Sequence, residues 1–342
     1  MEGRWRGLFE KLLMKNKGGP LNLVFLSGQP HCGPWKRESH DIQAWAAAME
    51  GDTYNSCRLS LLWGIKDYKI ALLELRPHNF HLIKQIKKWL PRLKLIGVQE
   101  GSLHSPDSDY NSKTRLKFIE AYQNVDALGV LLEDSIPYFQ SITDKPVFWL
   151  GVPFPVEWSK SYIIPPEKKE PIIEMQNTFS SQKGGLTNFF LLKSIQKTHP
   201  EARGLSYSQN IRYDQVLADS FGVNLKIEPM LSWQNYFILH SKAYIGLHMD
   251  YRWSWNRFSV DCAAAGIPCI STPHATSHKT LFPKLCVEPF DVESAKGLAG
   301  QLLKDRSFYK ECREYALNKI ELFDFENSKK RLLGFLNKQN WV

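Results

Sequence analysis

Two stretches of the sequence gather residue types that handle anions. The first is Asn177-Thr178-Phe179-Ser180-Ser181-Gln182-Lys183-Gly184-Gly185. Thr178 and Ser181 are hydroxyl donors, Lys183 is a cation, and the paired glycines let backbone N–H groups approach a diphosphate. The spacing is not that of a Walker loop, and a Lys-Gly-Gly turn is also simply a turn. The second stretch, Trp253–Thr272, reads WSWNRFSVDCAAAGIPCIST. Arg257 and Asp261 are four apart and share a helix face. The orphan N–H groups at the start of that helix suit phosphate. Asp261, nearly two turns in, suits the vicinal hydroxyls of a sugar. His248 and Asp250 close the apolar segment that leads into it. The plainer alternative is an intrahelical Arg–Asp pair, in the weaker orientation with the acid C-terminal to the base.

The first half of the chain offers candidates for acid–base work. Glu100 ends the apolar run Leu93–Val98 and is placed to act as a general base. His104 and His31 are the runners-up, and each of the three reads equally well as a loop residue. Gly28, Gln29 and His31 belong to a Gly/Pro-containing loop after the apolar segment Leu21–Leu26. Asp107-Ser108-Asp109 spells DxD, a metal-binding motif. It stands in a Pro/Ser/Asn-rich loop rather than after an apolar strand, so it reads as solvated loop. His78 and His81 lack carboxylates nearby in sequence and read as helix-start residues. No metal site is assigned.

The elements that must position these residues alternate. Strands are expected at Leu21–Leu26, Lys69–Leu75, Leu93–Val98, Ala127–Leu132 and Val147–Leu150. Helices are expected around His40–Met49, Phe80–Leu90 and Thr114–Tyr122. After the proline-rich stretch Gly151–Glu170, strands recur at Ile172–Met175, Leu225–Ile227, Ala243–Leu247, Cys269–Ser271 and Val287–Glu288. Helices recur at Leu186–Thr198, Tyr213–Phe221, Trp233–His240, Ser294–Lys304, Ser307–Ile320 and Ser328–Asn337. In the second stretch, Ser254 fits an N-cap with the helix starting at Trp255. Gly266 fits the left-handed position after its end, and Ala263–Ala265 are small enough for close packing on a strand. Strands alternating with helices imply parallel sheets with crossover helices, and so an α/β fold.

Composition bounds the rest. A chain of 342 residues suits two domains. The expected division is one α/β domain over 1–152, a linker over 153–170, a second α/β domain over 171–322, and a terminal helix over 323–342. No apolar run reaches the length that spans a bilayer, and no secretory signal is visible. Six scattered cysteines without a CxxC pair imply reduced thiols and a cytoplasmic location. The net charge of +9 favours an anionic partner or is a solubility bias. Residues 1–19 have apolar residues at helical spacing with a basic opposite face. That segment lies on an anionic membrane surface or docks on its own protein. Lys84, Lys87, Lys88, Arg92 and Lys94 form a basic run that fits nucleic acid, anionic lipid, an acidic glycan, or only solvent.

The segment Asp261-Cys-Ala-Ala-Ala-Gly266-Ile-Pro268 resembles the acid-Ala-x-Ala-x-Gly-x-Pro pattern of GT-B glycosyltransferases, the retaining family 4 in particular. Lys183-Gly184 resembles that family's Lys-Gly, and Gly151-Val152-Pro153 its domain junction. The resemblance implies two Rossmann-like doubly wound domains facing a central cleft, the first (1–152) binding the acceptor, the second (171–322) binding the nucleotide-sugar, and the terminal helix (323–342) packing back on the first. It implies an acid at Asp261 that binds the nucleotide ribose and a lysine at Lys183 that binds the donor diphosphate. The implied donor is a UDP- or GDP-sugar, with no further cofactor and no metal. The implied acceptor is a glycan or lipid-linked hydroxyl. Two departures stand out. The family's other acid falls on Trp253, and its arginine falls on Thr178, for which Arg257 is the available substitute. A phage-type DNA glucosyltransferase and a GT-B protein that only binds nucleotide or glycan are the alternatives.

Overall fold

The computed structural model describes residues 21–27, 41–56, 61–101, 103, 110–176 and 184–342. The chain divides into two compact units. The first comprises residues up to Glu100, Pro106–Pro153 and Phe325–Val342; the second comprises Gly101–Ser105 and Phe154–Asp324.

Six parallel strands form the sheet of the first unit: β1 (Leu23–Ser27), β2 (Asp52–Asn55), β3 (Ile70–Glu74), β4 (Lys94–Gln99), β5 (Ala127–Val130) and β6 (Val147–Trp149). Their order is β2-β1-β3-β4-β5-β6. β1 and β3 are buried along their whole length, which is why both read as unbroken apolar runs. The connecting helices are α1 (Asp41–Met49), α2 (Leu61–Ile65), α3 (Phe80–Trp89), α4 (Ser112–Asn124) and α5 (Ile136–Gln140). From β1 the chain steps outward to β2, then reverses and moves steadily toward β6. Right-handed crossovers therefore put α1 on one face and α2 to α5 on the other. The fully buried Trp45 of α1 donates its indole N–H to Gly151 O at 3.0 Å.

The second unit opens with α6 (Val156–Lys160) and has five parallel strands: β7 (Ile172–Met175), β8 (Arg203–Ser208), β9 (Leu225–Pro229), β10 (Ile245–His248) and β11 (Cys269–Ser271). Their order is β11-β10-β7-β8-β9. The intervening helices are α7 (Gly185–Thr198), α8 (Ile211–Ser220), α9 (Trp233–His240) and α10 (Arg257–Ala264). α11 (Thr276–Leu281), α12 (Val292–Lys304) and α13 (Arg306–Lys319) follow. The last helix, α14 (Phe325–Lys338), belongs to the first unit, where Phe335 stacks on Phe148 with ring centroids 3.6 Å apart.

Several expectations shift. Ser254 is not the N-cap of α10. Its N–H is bonded to His274 O and its carbonyl to Thr276 N, so Ser254 is held in the adjoining segment and Asn256 caps the helix instead. Val287–Glu288 does not form a strand; only an isolated bridge joins Ser271 to Cys286. Strands β2 and β8 and helices α2, α5, α6 and α11 are additions. The helix expected over 1–19 lies outside the described residues. Among the described residues, no helix is long and apolar enough to cross a membrane.

Candidate functional site

In the second unit the chain leaves β7 toward β8 and leaves β10 toward β11, in opposite directions. Adjacent strands whose connections diverge make a topological switch point, and ligands of open α/β sheets bind beyond the carboxyl ends there. The chain passes this point at Gln176 and Gly184, which bound the first stretch singled out by residue type, and again over 249–256, which leads into the second. Thr178, Ser181 and Lys183 lie outside the described residues; Gly184 and everything after it are described.

Gly184 caps α7 with φ +63°. A Cβ there would stand 1.9 Å from Met249 O. Both the left-handed backbone and the close approach demand glycine. The neighbouring turn is locked further: Met249 N donates to Asn188 Oδ1 at 2.7 Å, and Asn188 is fully buried. The start of α7, whose first N–H groups have no partner within the helix, is thereby fixed beside the carboxyl end of β10.

His248 and Asp250 are both fully buried. His248 Nε2 lies 3.4 Å from Asp250 Oδ2. Arg252 N donates to Asp250 Oδ1 at 2.9 Å, Ser271 Oγ to His248 O at 2.5 Å, and Thr272 Oγ1 to Asp250 O. The Asp250 carboxylate and the hydroxyls of Ser271 and Thr272 therefore brace the turn after β10. Asn256 then adopts φ +64° and its side chain accepts from Ser259 N. Arg257, half-buried, opens α10. Gly246 of β10 packs so closely that an added Cβ would meet Cys262 Sγ at 2.6 Å. With Ala263–Ala265 buried, α10 sits tightly over the strand, as the run of small residues implies.

Asp261 is buried, and its Oδ1 accepts from Trp233 Nε1 at 3.1 Å. Burial pushes its carboxyl up to about 6, against the charges of His240 and Arg257 and the bond from Trp233. Beside it, the fully buried Glu174 accepts from His240 Nδ1 at 2.8 Å and from Tyr236 Oη at 3.2 Å. Trp253 packs edge-on against His274.

The first unit has its own switch point, between β1 and β3. Gly28, Gln29 and His31, just after β1, lie outside the described residues, as do His104 and the DxD acids. Glu100 is buried after β4, and its Oε2 accepts from Arg76 Nη2 at 2.9 Å. Arg76 Nε also donates to Glu74 Oε1 at 2.5 Å, and Ser27 Oγ donates to Glu74 Oε2 at 2.8 Å. Asn79 closes the network, donating to Glu74 O and accepting from Arg76 N. The network gathers the carboxyl ends of β1, β3 and β4. Glu100 is thus an ion-paired member of a set rather than a solitary acid. Glu74 and Arg76 were missed from sequence. The available signal was a charged pair immediately after the apolar run KIALL.

No protein-family model matches the chain, and no curated protein matches it in sequence. Solved structures do. A trehalose-6-phosphate synthase, OtsA, superposes with TM-score 0.71 and 11% identity over 92% of this chain and 98% of its own. A sucrose-phosphate synthase from Thermosynechococcus elongatus superposes with TM-score 0.70 and 12% identity over 93% and 98%. HepE of Anabaena, in complex with UDP-glucose, gives TM-score 0.68 and 11% identity over 92% and 99%. At such identities the likeness is one of fold, and it spans both parallel-sheet units: the chain has the GT-B fold.

Proposed function

We propose that this protein is a glycosyltransferase that moves a sugar from a nucleoside-diphosphate sugar to an acceptor hydroxyl. The observation that carries the reading is Gly184, left-handed and pressed against Met249 O, which sets the amino end of α7 at the switch point of the second unit. An anion there meets the first-turn backbone N–H groups of α7 and the positive end of the helix dipole. Lys183, Thr178 and Ser181 precede that turn and Arg257 follows β10, so two cations and several donors serve the diphosphate in place of a metal. They stabilise the charge that develops as the diphosphate leaves. Asp261 holds one oxygen on Trp233 and offers the carboxylate to the ribose hydroxyls, while Asp250, Ser271 and Thr272 hold the turn. The same fold in a protein complexed with UDP-glucose supports a UDP-sugar as donor.

On this reading the first unit takes the acceptor, beside the Ser27–Glu74–Arg76–Glu100 network and the loop of Gly28, Gln29 and His31. Glu100 can accept the acceptor's proton only when it exchanges Arg76 for that hydroxyl; His104 is the other candidate base. Trp253 in place of an acid keeps a protein that only binds nucleotide as the second reading. A thermal-shift panel of UDP, GDP, ADP and TDP and their glucose conjugates tests the first step. A true donor raises the midpoint according to its affinity, and Lys183→Ala and Arg257→Gln each lose most of that shift. No shift with any of them overturns the donor site. A shift without transfer or slow release of free sugar identifies the binding-only protein.

A further inference from the structure

The helical layer α2 to α5 of the first unit has an unusual surface. Trp63 on α2 is 76% exposed, Trp89 on α3 64%, and Leu116 on α4 62%. Ile119 and Tyr138, on α4 and α5, are exposed as well. All lie on the one face to which the right-handed crossovers assign these helices. The same layer is strongly basic. From Leu75 to Gln99 the sequence contains six Lys and Arg residues and no acid. α4 adds Lys113, Arg115 and Lys117 against a single acid, Glu120. The cations accompany the exposed rings: Lys66 Nζ stands 5.1 Å above the Trp63 ring and Lys88 Nζ 5.1 Å above the Trp89 ring. Some charge is spent internally, since Arg76 pairs with Glu74 and Glu100, Lys87 pairs with Asp126, and Lys84 lies 3.4 Å from Glu120. Lys66, Lys88 and Lys117 have no carboxylate partner among the described residues.

We propose that this layer docks on the surface of an anionic lipid bilayer, with Trp63, Trp89 and Leu116 at the boundary between headgroups and acyl chains and Lys66, Lys88 and Lys117 on lipid phosphates. Indole rings with a lysine beside them suit that boundary, because the ring is apolar while its N–H and the neighbouring ammonium stay wet. A cationic surface studded with large apolar side chains gains both from burying those side chains and from the negative potential of the leaflet. Nucleic acid would account for the lysines and for a stacked indole but gives aliphatic Leu116 and Ile119 nothing to contact. The docking does not depend on the sugar chemistry of the second unit.

The full-length protein is sedimented with phosphatidylcholine vesicles, with and without phosphatidylglycerol, and titrated with an oligonucleotide. Binding to the anionic vesicles alone is expected, weakening as salt rises. Lys88→Gln and Lys117→Gln each cost about five-fold in partitioning, and the combined Trp63→Ala, Trp89→Ala and Leu116→Ser variant abolishes it. These side chains are exposed, so the variants keep the wild-type melting temperature, which is measured alongside. Three results overturn the proposal: no vesicle binding, wild-type binding by the triple variant, or binding lost only when residues 1–19 are removed. Tighter binding of the oligonucleotide with loss through the same variants assigns the layer to nucleic acid instead.

Discussion

Gly184 and Asp261 are the two residues whose physics is most exposed to test. Alanine at position 184 must hold a left-handed backbone, at about 1–2 kcal/mol, and place a Cβ 1.9 Å from Met249 O, so the turn itself must move. Gly184→Ala is therefore expected to lower the denaturation midpoint and to abolish the thermal shift given by a nucleoside diphosphate. Retained binding with only a stability loss would separate the turn from the anion site. Asp261 makes a prediction in pH. Its folded carboxyl is raised to about 6, above the unfolded value. The stabilising contribution is therefore complete below the unfolded pKa and is lost as pH rises through about 6. Asp261→Asn keeps an oxygen for Trp233 Nε1 and cannot ionise. Relative to wild type, it should gain stability between about pH 4 and pH 7, by up to ~3 kcal/mol; parallel wild-type and variant curves would refute this. The sequence made Asp261 conspicuous but could not reveal Trp233 as its partner, because that contact joins residues 28 apart.

At the scale of elements, α10 was legible and its neighbours less so. Gly266 has φ +61°, Ile267 N bonds to Cys262 O and Gly266 N to Ala263 O, the paired bonds of a Schellman end. A Gly-x-Pro after a helix announces that end locally. The start of α10 was misread because Ser254 is an equally good cap by type, and only the pairing with His274 and Thr276 removes it. β8 went unread for a similar reason. RGLSYS has a glycine and no continuous apolar run, yet an added Cβ at Gly204 would come within 2.4 Å of Leu192 and 2.7 Å of Leu225. That glycine serves helix–strand packing, a tertiary demand that no local pattern displays. The two ends of α10 also separate stability from binding. Gly266→Ala strains the left-handed position, while the Arg313 side chain 3.0 Å from the new Cβ can give way. It should cost about 1–2 kcal/mol in a denaturant titration and leave nucleotide affinity unchanged, unlike Gly184→Ala. An equal loss of affinity would mean that the helix end, and not only its start, sets the anion site.

At the scale of the whole molecule, the two units repeat one device, a parallel sheet whose switch point gathers polar side chains, and use it differently. In the second unit the described groups are the amino end of α7, the turn around Asp250 and Arg257; in the first they form an ion-pair network around Arg76. The net charge of +9 is not spread evenly, since the acid-free segment between β3 and β4 sits in the layer proposed to meet lipid. Ligands at these places should leave separate footprints, because loops at switch points open locally at low free energy whereas strands open only with the whole fold. Hydrogen exchange of the full chain can read both. A nucleoside diphosphate should slow exchange in 176–188 and 249–260 and leave 61–66, 80–92 and 112–120 as they were. Anionic vesicles should do the reverse, and their effect should fade at high salt. Nucleotide protection should persist longer, because its site is partly buried and screened less. Vesicles that protect the second switch point, or a nucleotide that protects α2 to α4, would show that one surface serves both ligands and that the division of labour between the units is wrong.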